Sequence, residues 1–247
     1  MEPWFDRSFG PWYPKLYPHR NLAEARRAVA LVLPRLPAAG RLLDLGCGAG
    51  RHLQVLREAG RDAVGLDRSW TLLRTAAAVP ELAGRLLRGD MRAVPSADAA
   101  FSGVLSMFTT FGYFGGADAH VRLLEEIGRV AASDGRFVLD YLNAEQVRRD
   151  LVPESRRTVD GHTVHERRFI AAGGGEETVV KETSIRDEQG KECERFREEV
   201  VLYDRARLLD LLDRGGWRVD TAYGDYDGSA WHPAAPRCIL VAEKSAA

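Results

Sequence analysis

The chain contains the segment Leu42-Leu43-Asp44-Leu45-Gly46-Cys47-Gly48-Ala49-Gly50-Arg51-His52. Two leucines lead into an aspartate, three glycines follow at alternate positions, and apolar residues then recur at helical spacing. This pattern predicts a buried strand, a tight glycine turn and the start of a helix. Glycine suits such a turn because it tolerates unusual dihedral angles and close approach to a ligand. The helix start beyond it offers unpaired N–H groups.

Two classes of cofactor are bound by turns of this kind. The dinucleotide fingerprint G-x-G-x-x-G requires a third glycine, but Arg51 stands at that position and Gly50 comes one residue early. The acidic residue that would bind ribose hydroxyls is present, because residues 63–67 read as a second short strand that ends in Asp67. A strand-end carboxylate after a glycine turn predicts a ribose-containing ligand and leaves the nucleoside open.

Residues 44–50, Asp-Leu-Gly-Cys-Gly-Ala-Gly, closely resemble motif I of the class I S-adenosylmethionine-dependent methyltransferases, D/E-x-G-x-G-x-G. Further segments are similar to that family in the same order, at residues 65–69, 88–91, 102–107 and 128–140. The last segment departs from the family pattern R-V-L-x-P-G-G, because Ser133 replaces the proline and Asp134 replaces the first glycine. The resemblance extends over residues 41–142 and is loose beyond them.

This resemblance implies an α/β fold with a Rossmann-like, seven-stranded, mostly parallel sheet and helices on both faces. Strand and helix patterns alternate along residues 41–140, as expected of such a sheet. We expect four parts: an N-terminal lid and helix (1–40), a cofactor-binding core (41–152), an antiparallel β insertion (153–203), and a closing helix and β-hairpin (204–247).

Hairpin turn signals indicate the insertion. They lie at Asp160-Gly161, at residues 173–175 and at residues 187–190, between three strand-like runs at 163–170, 178–186 and 194–203. The runs alternate charged with apolar or β-branched residues, so we expect antiparallel strands with one solvated face. Such a sheet would also be placed to roof a substrate pocket or to form a homodimer interface.

The first twenty residues are crowded with aromatic residues and prolines, which excludes a single regular helix. This segment is either a packed N-terminal arm or a lid over cofactor and substrate. Tyr13, Tyr17 and Arg20 resemble lid positions of small-molecule methyltransferases, and Arg20 is suited to a methionine carboxylate. An amphipathic helix follows, with Asn21 as its expected N-cap.

The resemblance implies S-adenosylmethionine as cofactor and S-adenosylhomocysteine as its product. In such sheets ligands bind beyond the carboxyl ends of the strands. Asp67 would accept hydrogen bonds from the ribose hydroxyls and Asp90 from the adenine amino group. The full set of candidate cofactor residues is Tyr13, Tyr17, Arg20, Asp44, Gly46, Cys47, Gly48, Gly50, Asp67, Arg68, Asp90, Met91 and Met107.

The stretch after the fourth strand, residues 107–116, is apolar, aromatic and hydroxylated. It lacks the N/D-P-P-Y/F motif of methyltransferases that act on DNA bases and protein amides. It resembles family members that methylate a nitrogen or oxygen atom of small metabolites. The candidate substrate residues are Phe108, Phe111, Tyr113, Tyr226 and Arg237.

A general base would accept the proton of an amine or hydroxyl acceptor. The candidates are His232, in a loop rich in glycine and aromatic residues, and His120. For His120 the alternative is a surface position at the start of a helix. The sequence does not rank the two histidines.

Composition narrows the function classes further. The 247 residues carry a net charge of −1, which argues against a nucleic-acid partner. There are three widely separated cysteines and no zinc-type spacing, so we expect free thiols in a cytoplasmic protein without a metal. Residues 1–7 lack a basic region and an apolar core, so we expect no signal peptide, and no apolar run reaches the length of a membrane span. The alternatives left open are an NAD(P)-dependent oxidoreductase and a non-catalytic S-adenosylmethionine-binding protein.

Overall fold

The computed structural model describes residues 4–173 and 175–245. Its strands are β1 (Leu42–Leu45), β2 (Ala63–Asp67), β3 (Leu86–Arg88), β4 (Phe101–Ser106), β5 (Ala131–Leu142), β6 (Glu154–Val159), β7 (His162–Gly173), β8 (Glu176–Arg186), β9 (Glu192–Val201), β10 (Trp217–Tyr223) and β11 (Arg237–Lys244). Its α-helices are α1 (Trp4–Ser8), α2 (Tyr13–Leu16), α3 (Leu22–Val32), α4 (Arg51–Glu58), α5 (Trp70–Ala77), α6 (Ala117–Val130), α7 (Ala144–Asp150) and α8 (Arg205–Arg214).

The larger sheet has seven strands in the order β10-β11-β5-β4-β1-β2-β3. Its pairs are parallel except those of β11, which is antiparallel to both β10 and β5. The expected seven-stranded, mostly parallel sheet is therefore confirmed. The chain order reverses between β1 and β4, and ligands of open α/β sheets bind beside such a reversal.

Helices cover both faces of this sheet. All four residues of β1 are buried, as expected for a central parallel strand with both faces covered. On one face Ala25, Val29 and Val32 of α3 pack in a cluster with Leu42 and Leu56. The opposite face carries a second cluster, which includes residues of α6, α8 and β5. No helix in the described ranges is both long and apolar enough to cross a membrane.

The glycine turn between β1 and α4 takes the left-handed backbone that its sequence predicts. Gly46, Gly48 and Gly50 have φ values of 77°, 55° and 82°. A Cβ atom at Gly50 would also lie 2.5 Å from Cδ1 of Leu82. The turn therefore requires glycine at this position for two independent reasons.

The insertion is a separate antiparallel sheet in the order β6-β7-β8-β9. The three expected runs correspond to β7, β8 and β9, and β6 is an additional edge strand. One face of the sheet is not solvated, because Val164, Ile185 and Phe196 pack there against Leu16 and Tyr17 of the N-terminal segment. The solvated-face interpretation holds only for the opposite face.

The N-terminal segment forms two short helices, α1 and α2, so the exclusion of one regular helix is confirmed. The next helix, α3, begins as expected, with the Asn21 side chain accepting a hydrogen bond from the Glu24 backbone N–H at 3.2 Å. A turn of 3₁₀ helix at Leu33–Arg35 ends it.

Candidate cofactor and acceptor site

A cavity of about 260 Å³ lies at the carboxyl ends of β1 to β4, beneath α1 and α2. Segments far apart in sequence meet there: the lid helices, the glycine turn, the ends of β2 and β3, and the loop after β4. The residues from the sequence-based sets that line the cavity are Tyr13, Tyr17, Arg20, Gly46, Cys47, Gly48, Asp67, Arg68, Asp90, Met91, Met107, Phe108 and Tyr113.

Asp67 closes the glycine turn from the end of β2. Its carboxylate accepts hydrogen bonds from the backbone N–H groups of Gly48 and Ser69, each at 2.7 Å. Burial raises the pKa of Asp67, and these hydrogen bonds oppose the shift. A carboxylate has about four lone-pair sites, so acceptor capacity is left for a ligand hydroxyl.

Asp90, after β3, is held by two arginines. Arg92 Nη2 lies 2.6 Å and Arg68 Nη1 lies 3.1 Å from its Oδ2. Hydrogen bonds from Arg92 lower the pKa of Asp90, so the group is a carboxylate at neutral pH. Its oxygens already accept these contacts, and a ligand amino group at Asp90 would displace one of them.

Arg20 extends from the lid segment into the cavity between aromatic rings. Its guanidinium carbon lies 3.8 Å from the ring centroid of Tyr17 and 4.3 Å from that of Phe108. It donates a hydrogen bond to the Tyr13 hydroxyl, while its buried Nε has no hydrogen-bond partner in the described part of the chain. An oriented arginine with an unused donor fits an anionic ligand group.

Asp44 and Gly50 lie outside the cavity lining, contrary to the sequence-based assignment to the cofactor. The Asp44 side chain is buried within β1, and its Oδ2 has no partner among the described residues. Burial raises the pKa of Asp44 to about 7, and Arg51 partly opposes this. Both residues support the turn from the side away from the cavity. The motif alone does not distinguish residues that line the cavity from residues that support its lining.

The loop after β4 has a strained backbone at the cavity wall. Phe108 and Thr109 have φ values of 57° and 62°, which are rare for residues with a Cβ atom. The Phe108 N–H donates to Asp140 Oδ2, and the Thr109 N–H donates to the Asp140 carbonyl oxygen, both at 2.8 Å. These bonds hold the Phe108 ring at the cavity.

Tyr226 and Arg237 reach the carboxyl end of β5, as expected, but they lie one layer behind the wall. The Tyr226 hydroxyl donates to Asp140 Oδ2 at 2.6 Å, and Arg237 forms an ion pair with the same carboxylate. Neither side chain lines the cavity. Their predicted role as substrate contacts is corrected to that of support for Asp140 and, through it, for Phe108.

Phe111 and His120 are core residues rather than site residues. His120 is fully buried, and its Nδ1 lies 3.0 Å from the Tyr203 hydroxyl and 2.9 Å from the Gly116 carbonyl oxygen. The ring centroid of Phe111 is 4.7 Å from that of His120. The surface interpretation of His120 is therefore wrong. Its side chain lies outside the cavity, and burial lowers its pKa.

His232 is exposed in the loop before β11. Its Nδ1 accepts a hydrogen bond from the Ala234 N–H at 3.2 Å, and the side chain does not line the cavity. Neither predicted histidine is therefore placed to accept a proton there. The loop is instead anchored by Asn143, whose amide donates to the carbonyl oxygens of Pro233 and Ala235 at 3.1 and 2.7 Å.

Several cavity residues were not identified from the sequence. Phe5, Phe9, Arg51, His52 and Thr110 also line the wall. The aromatic content of the first twenty residues was the signal for Phe5 and Phe9. The motif gives no signal for Arg51, whose guanidinium carbon lies 4.8 Å from the Phe108 ring centroid.

S-adenosylmethionine fits this set of residues. Its carboxylate suits the unused Arg20 donor, its ribose suits Asp67, and its amino-acid part suits a turn where a Cβ on Gly46 would lie 2.8 Å from Thr110 Cγ2. The described residues hold no group of three or more His, Cys, Asp or Glu side chains that would bind a metal ion.

Known proteins that are similar to this chain include methyltransferases. Residues 42–135 match a family model described as a methyltransferase domain. The chain is 37% identical over 112 residues to the dTDP-3-amino-3,4,6-trideoxy-alpha-D-glucopyranose N,N-dimethyltransferase of Streptomyces venezuelae. That alignment covers 45% of this chain and 43% of the relative, so it spans less than half of the relative's length.

Solved structures extend the similarity over nearly the whole chain. The CcbJ methyltransferase of Streptomyces caelestis superposes with a TM-score of 0.78 at 19% identity, covering 98% of this chain and 99% of its own, which is a likeness of fold. DesVI of Streptomyces venezuelae gives a TM-score of 0.67 at 25% identity, with 95% and 97% covered. None of this supports a nicotinamide-dependent oxidoreductase. Residues 42–135 therefore match a methyltransferase domain, within a chain that has the fold of solved methyltransferases.

Proposed function

We propose that the protein transfers the methyl group of S-adenosylmethionine to an amine nitrogen of a small hydroxylated molecule of the amino-sugar class. The observation that carries the proposal is the cavity in which the glycine turn, Asp67, Asp90 and Arg20 meet an aromatic acceptor wall. Three relatives named as N,N-dimethyltransferases of dTDP-linked amino sugars support the acceptor class.

The cofactor would lie along the strand ends. We assign the methionine carboxylate to Arg20, the ribose hydroxyls to Asp67 and the adenine to Asp90 and Met91. Bound S-adenosylmethionine supplies a methyl group activated by the adjacent positive sulfur. The protein then contributes chiefly alignment of the acceptor and removal of water.

The acceptor side is built from aromatic rings of two segments. Phe9 and Tyr13 come from the lid, and Phe108 and Tyr113 from the loop after β4. The ring centroids of Phe9 and Tyr13 are 5.0 Å apart, and those of Phe9 and Tyr113 are 5.8 Å apart. Such a wall excludes water while its hydroxyl groups give an acceptor hydrogen-bond partners.

Proton removal on this proposal does not use a histidine. Burial raises the pKa of Tyr13 and Tyr113, so both phenols are neutral at physiological pH and accept hydrogen bonds from an amine. An amine that enters in its unprotonated form attacks the methyl carbon through its lone pair. The product ammonium then releases its proton to solvent when it leaves.

The experiment is a product screen with purified protein. S-adenosylmethionine is incubated with nucleotide-linked amino sugars, free amino sugars, simple amines and hydroxylated metabolites without an amine, and S-adenosylhomocysteine and the methylated product are quantified by mass spectrometry. Dimethylated amino sugar is the expected product. Methylation of only the amine-free hydroxyl compounds would contradict the amine assignment, and no product with S-adenosylmethionine bound would favour a non-catalytic protein.

The matched control for this screen is a pair of carboxylate variants. Asp67→Asn removes the charge at the cavity, whereas Asp118→Asn removes one at the exposed start of α6. Only the first should abolish product formation. A homodimer through the insertion and a cytoplasmic location stay predictions, which sedimentation and cell fractionation would test.

A further inference from the structure

Two charged residues of the insertion sheet lie beneath the lid. Lys181 on β8 and Glu198 on β9 are directly opposite in the strand register. Their Nζ and Oε1 atoms are 2.7 Å apart, and each side chain is only 15% exposed. The Tyr17 hydroxyl donates to the same Oε1 at 2.9 Å, and Lys181 Nζ donates to the Tyr17 oxygen.

This pair is not explained by the stability of the sheet. The same face is mixed: Val164, Ile185 and Phe196 pack against the lid residues Leu16 and Tyr17, and the register also places the ion pair of Glu166 and Arg168 on it. Removing two charges from water costs free energy that their mutual attraction often fails to recover, and apolar residues of similar size are frequently as stable. The sheet itself therefore does not require this pair, whose further contact is the Tyr17 hydroxyl.

The pair fixes the hydroxyl of a residue that lines the cavity. The Tyr17 ring is part of the wall, with the Arg20 guanidinium carbon 3.8 Å from its centroid. Its hydroxyl donates a hydrogen bond to Glu198 and accepts one from Lys181. A phenolic oxygen has two lone pairs, so one lone pair stays available in a fixed direction.

The Glu198 charge also reaches the neighbouring tyrosines. The pKa values of Tyr13 and Tyr113 are raised first by burial and further by this carboxylate. The ring centroid of Tyr17 is 5.0 Å from that of Tyr13, which belongs to the acceptor wall. Through the Tyr17 hydroxyl, Lys181 and Glu198 therefore support the tyrosines of this wall.

We propose that Lys181 and Glu198 are positioning residues for the acceptor. They orient the Tyr17 hydroxyl so that its remaining lone pair accepts a hydrogen bond from the amine that receives the methyl group. That bond would direct the nitrogen lone pair towards the methyl carbon. The inference rests on the proposed function and gives the insertion a part in the reaction.

The test uses Lys181→Met, Tyr17→Phe, the double variant, and Lys181→Arg as the conservative replacement. Glu182 and Arg197 provide a matched control, because they are the adjacent register pair on the outer face, 3.1 Å apart and 38% and 46% exposed. Kinetics are measured with the amine acceptor found in the product screen, and S-adenosylhomocysteine affinity is measured by calorimetry.

We expect Lys181→Met and Tyr17→Phe each to lower kcat/KM for the acceptor by about tenfold or more, the loss expected for one hydrogen bond to a charged or oriented group. The double variant should lose no more than Tyr17→Phe alone, because Lys181 acts through that hydroxyl. Lys181→Arg should restore most of the activity. In Glu182→Gln and Arg197→Met, kcat/KM for the acceptor should stay at the wild-type level. The affinity for S-adenosylhomocysteine should change little in all of these variants.

Wild-type kinetics in Lys181→Met, or losses that multiply in the double variant, would overturn the positioning role. Amide hydrogen exchange gives a readout that needs no acceptor: Lys181→Met should speed exchange across residues 13–20, and Glu182→Gln should not. Unchanged exchange in Lys181→Met would also overturn the inference. Failure of wild-type protein to bind S-adenosylhomocysteine would instead refute the proposed function, so the two failures are distinguishable.

Discussion

Asp140, at the carboxyl end of β5, joins three segments that are distant in sequence. Its side chain is fully buried and accepts hydrogen bonds from the Phe108 N–H and the Tyr226 hydroxyl, at 2.8 and 2.6 Å, while Arg237 neutralises it. The sequence indicated that the loop of Tyr226 serves the site. The sequence does not distinguish a residue that contacts a ligand from a residue that supports such a contact.

This arrangement predicts distinct costs for two substitutions. Tyr226→Phe should lower the free energy of unfolding by about 1.5–3 kcal/mol, because one hydrogen bond to a charged group is lost. Asp140→Asn should cost about 3–5 kcal/mol, because it leaves the buried Arg237 without its counter-charge. Urea unfolding followed by circular dichroism measures both.

Tyr223→Phe is the control, since the Tyr223 hydroxyl accepts a hydrogen bond at 2.8 Å from Arg35, which is exposed and keeps water as an alternative partner, so its loss should cost less. An unchanged stability in Tyr226→Phe together with a raised KM for the acceptor would contradict the supporting role and restore the substrate role of Tyr226.

Asp44 gives the protein a defined pH dependence. Burial raises its pKa from 3.8 to about 7, so the folded protein keeps a proton that the unfolded chain loses at lower pH. The free energy of unfolding should therefore fall as pH rises between these two values, by about 4 kcal/mol in total, and level off above them.

Asp44→Asn removes this titration. Relative to wild type, the variant should gain stability steadily across that pH interval, as measured by urea unfolding at a series of pH values. A constant difference between the two proteins from acid to neutral pH would show that Asp44 titrates normally.

At the scale of elements, the turn between β1 and α4 was predictable because its determinants are local. The alternation of leucines, glycines and helix-spaced apolar residues lies within a dozen positions. Helix α3 and its Asn21 cap were predictable for the same reason. The strand β6 was not, because its residues alternate between exposed and half-buried and pair only with β7.

Gly50→Ala tests whether the turn between β1 and α4 requires glycine at position 50. The φ of 82° and the 2.5 Å separation that an added Cβ would have from Leu82 act together, so we expect a loss of about 2–4 kcal/mol in the free energy of unfolding. Gly60→Ala is the control, because Gly60 has a φ of 77° but no atom within 4 Å of such a Cβ.

The control should lose only about 1 kcal/mol, the cost of a left-handed backbone alone. Thermal and urea unfolding of both variants give the comparison. Equal losses in the two variants would mean that packing against Leu82 and Ala76 does not constrain the turn.

At the scale of the whole molecule, the sheet and the strand-end side of the cavity were predictable, because parallel strands bring their carboxyl ends to one edge. Asp67 ends a strand that the pattern identifies, Asp90 and Gly46 lie just after two others, and all three line the cavity. Contacts between distant segments were not predictable. The stacking of Arg20 on Phe108 and the Lys181–Glu198 pair under the lid depend on how the N-terminal helices and the insertion pack.

The same limit explains the histidines. His120 has helical spacing and a polar side chain, which fits either a surface or a catalytic position. Its burial beside Phe111 and Tyr203 follows from the packing of α6 against the loop after β4 and the segment between β9 and α8. The residue type suggested a general base at position 120, and only the fold shows that the imidazole ring belongs to the core.

Calorimetric titration with S-adenosylhomocysteine, and with NAD as the competing cofactor, tests the central claim most directly. Wild-type protein should bind S-adenosylhomocysteine with a Kd of about 10 μM or tighter and should not bind NAD. Asp67→Asn should weaken binding by about tenfold or more, through the lost charge that receives the ribose hydroxyls, whereas Asp118→Asn should bind as the wild type does. Binding of NAD alone, or equal affinity in Asp67→Asn, would contradict the assignment of this cavity to S-adenosylmethionine.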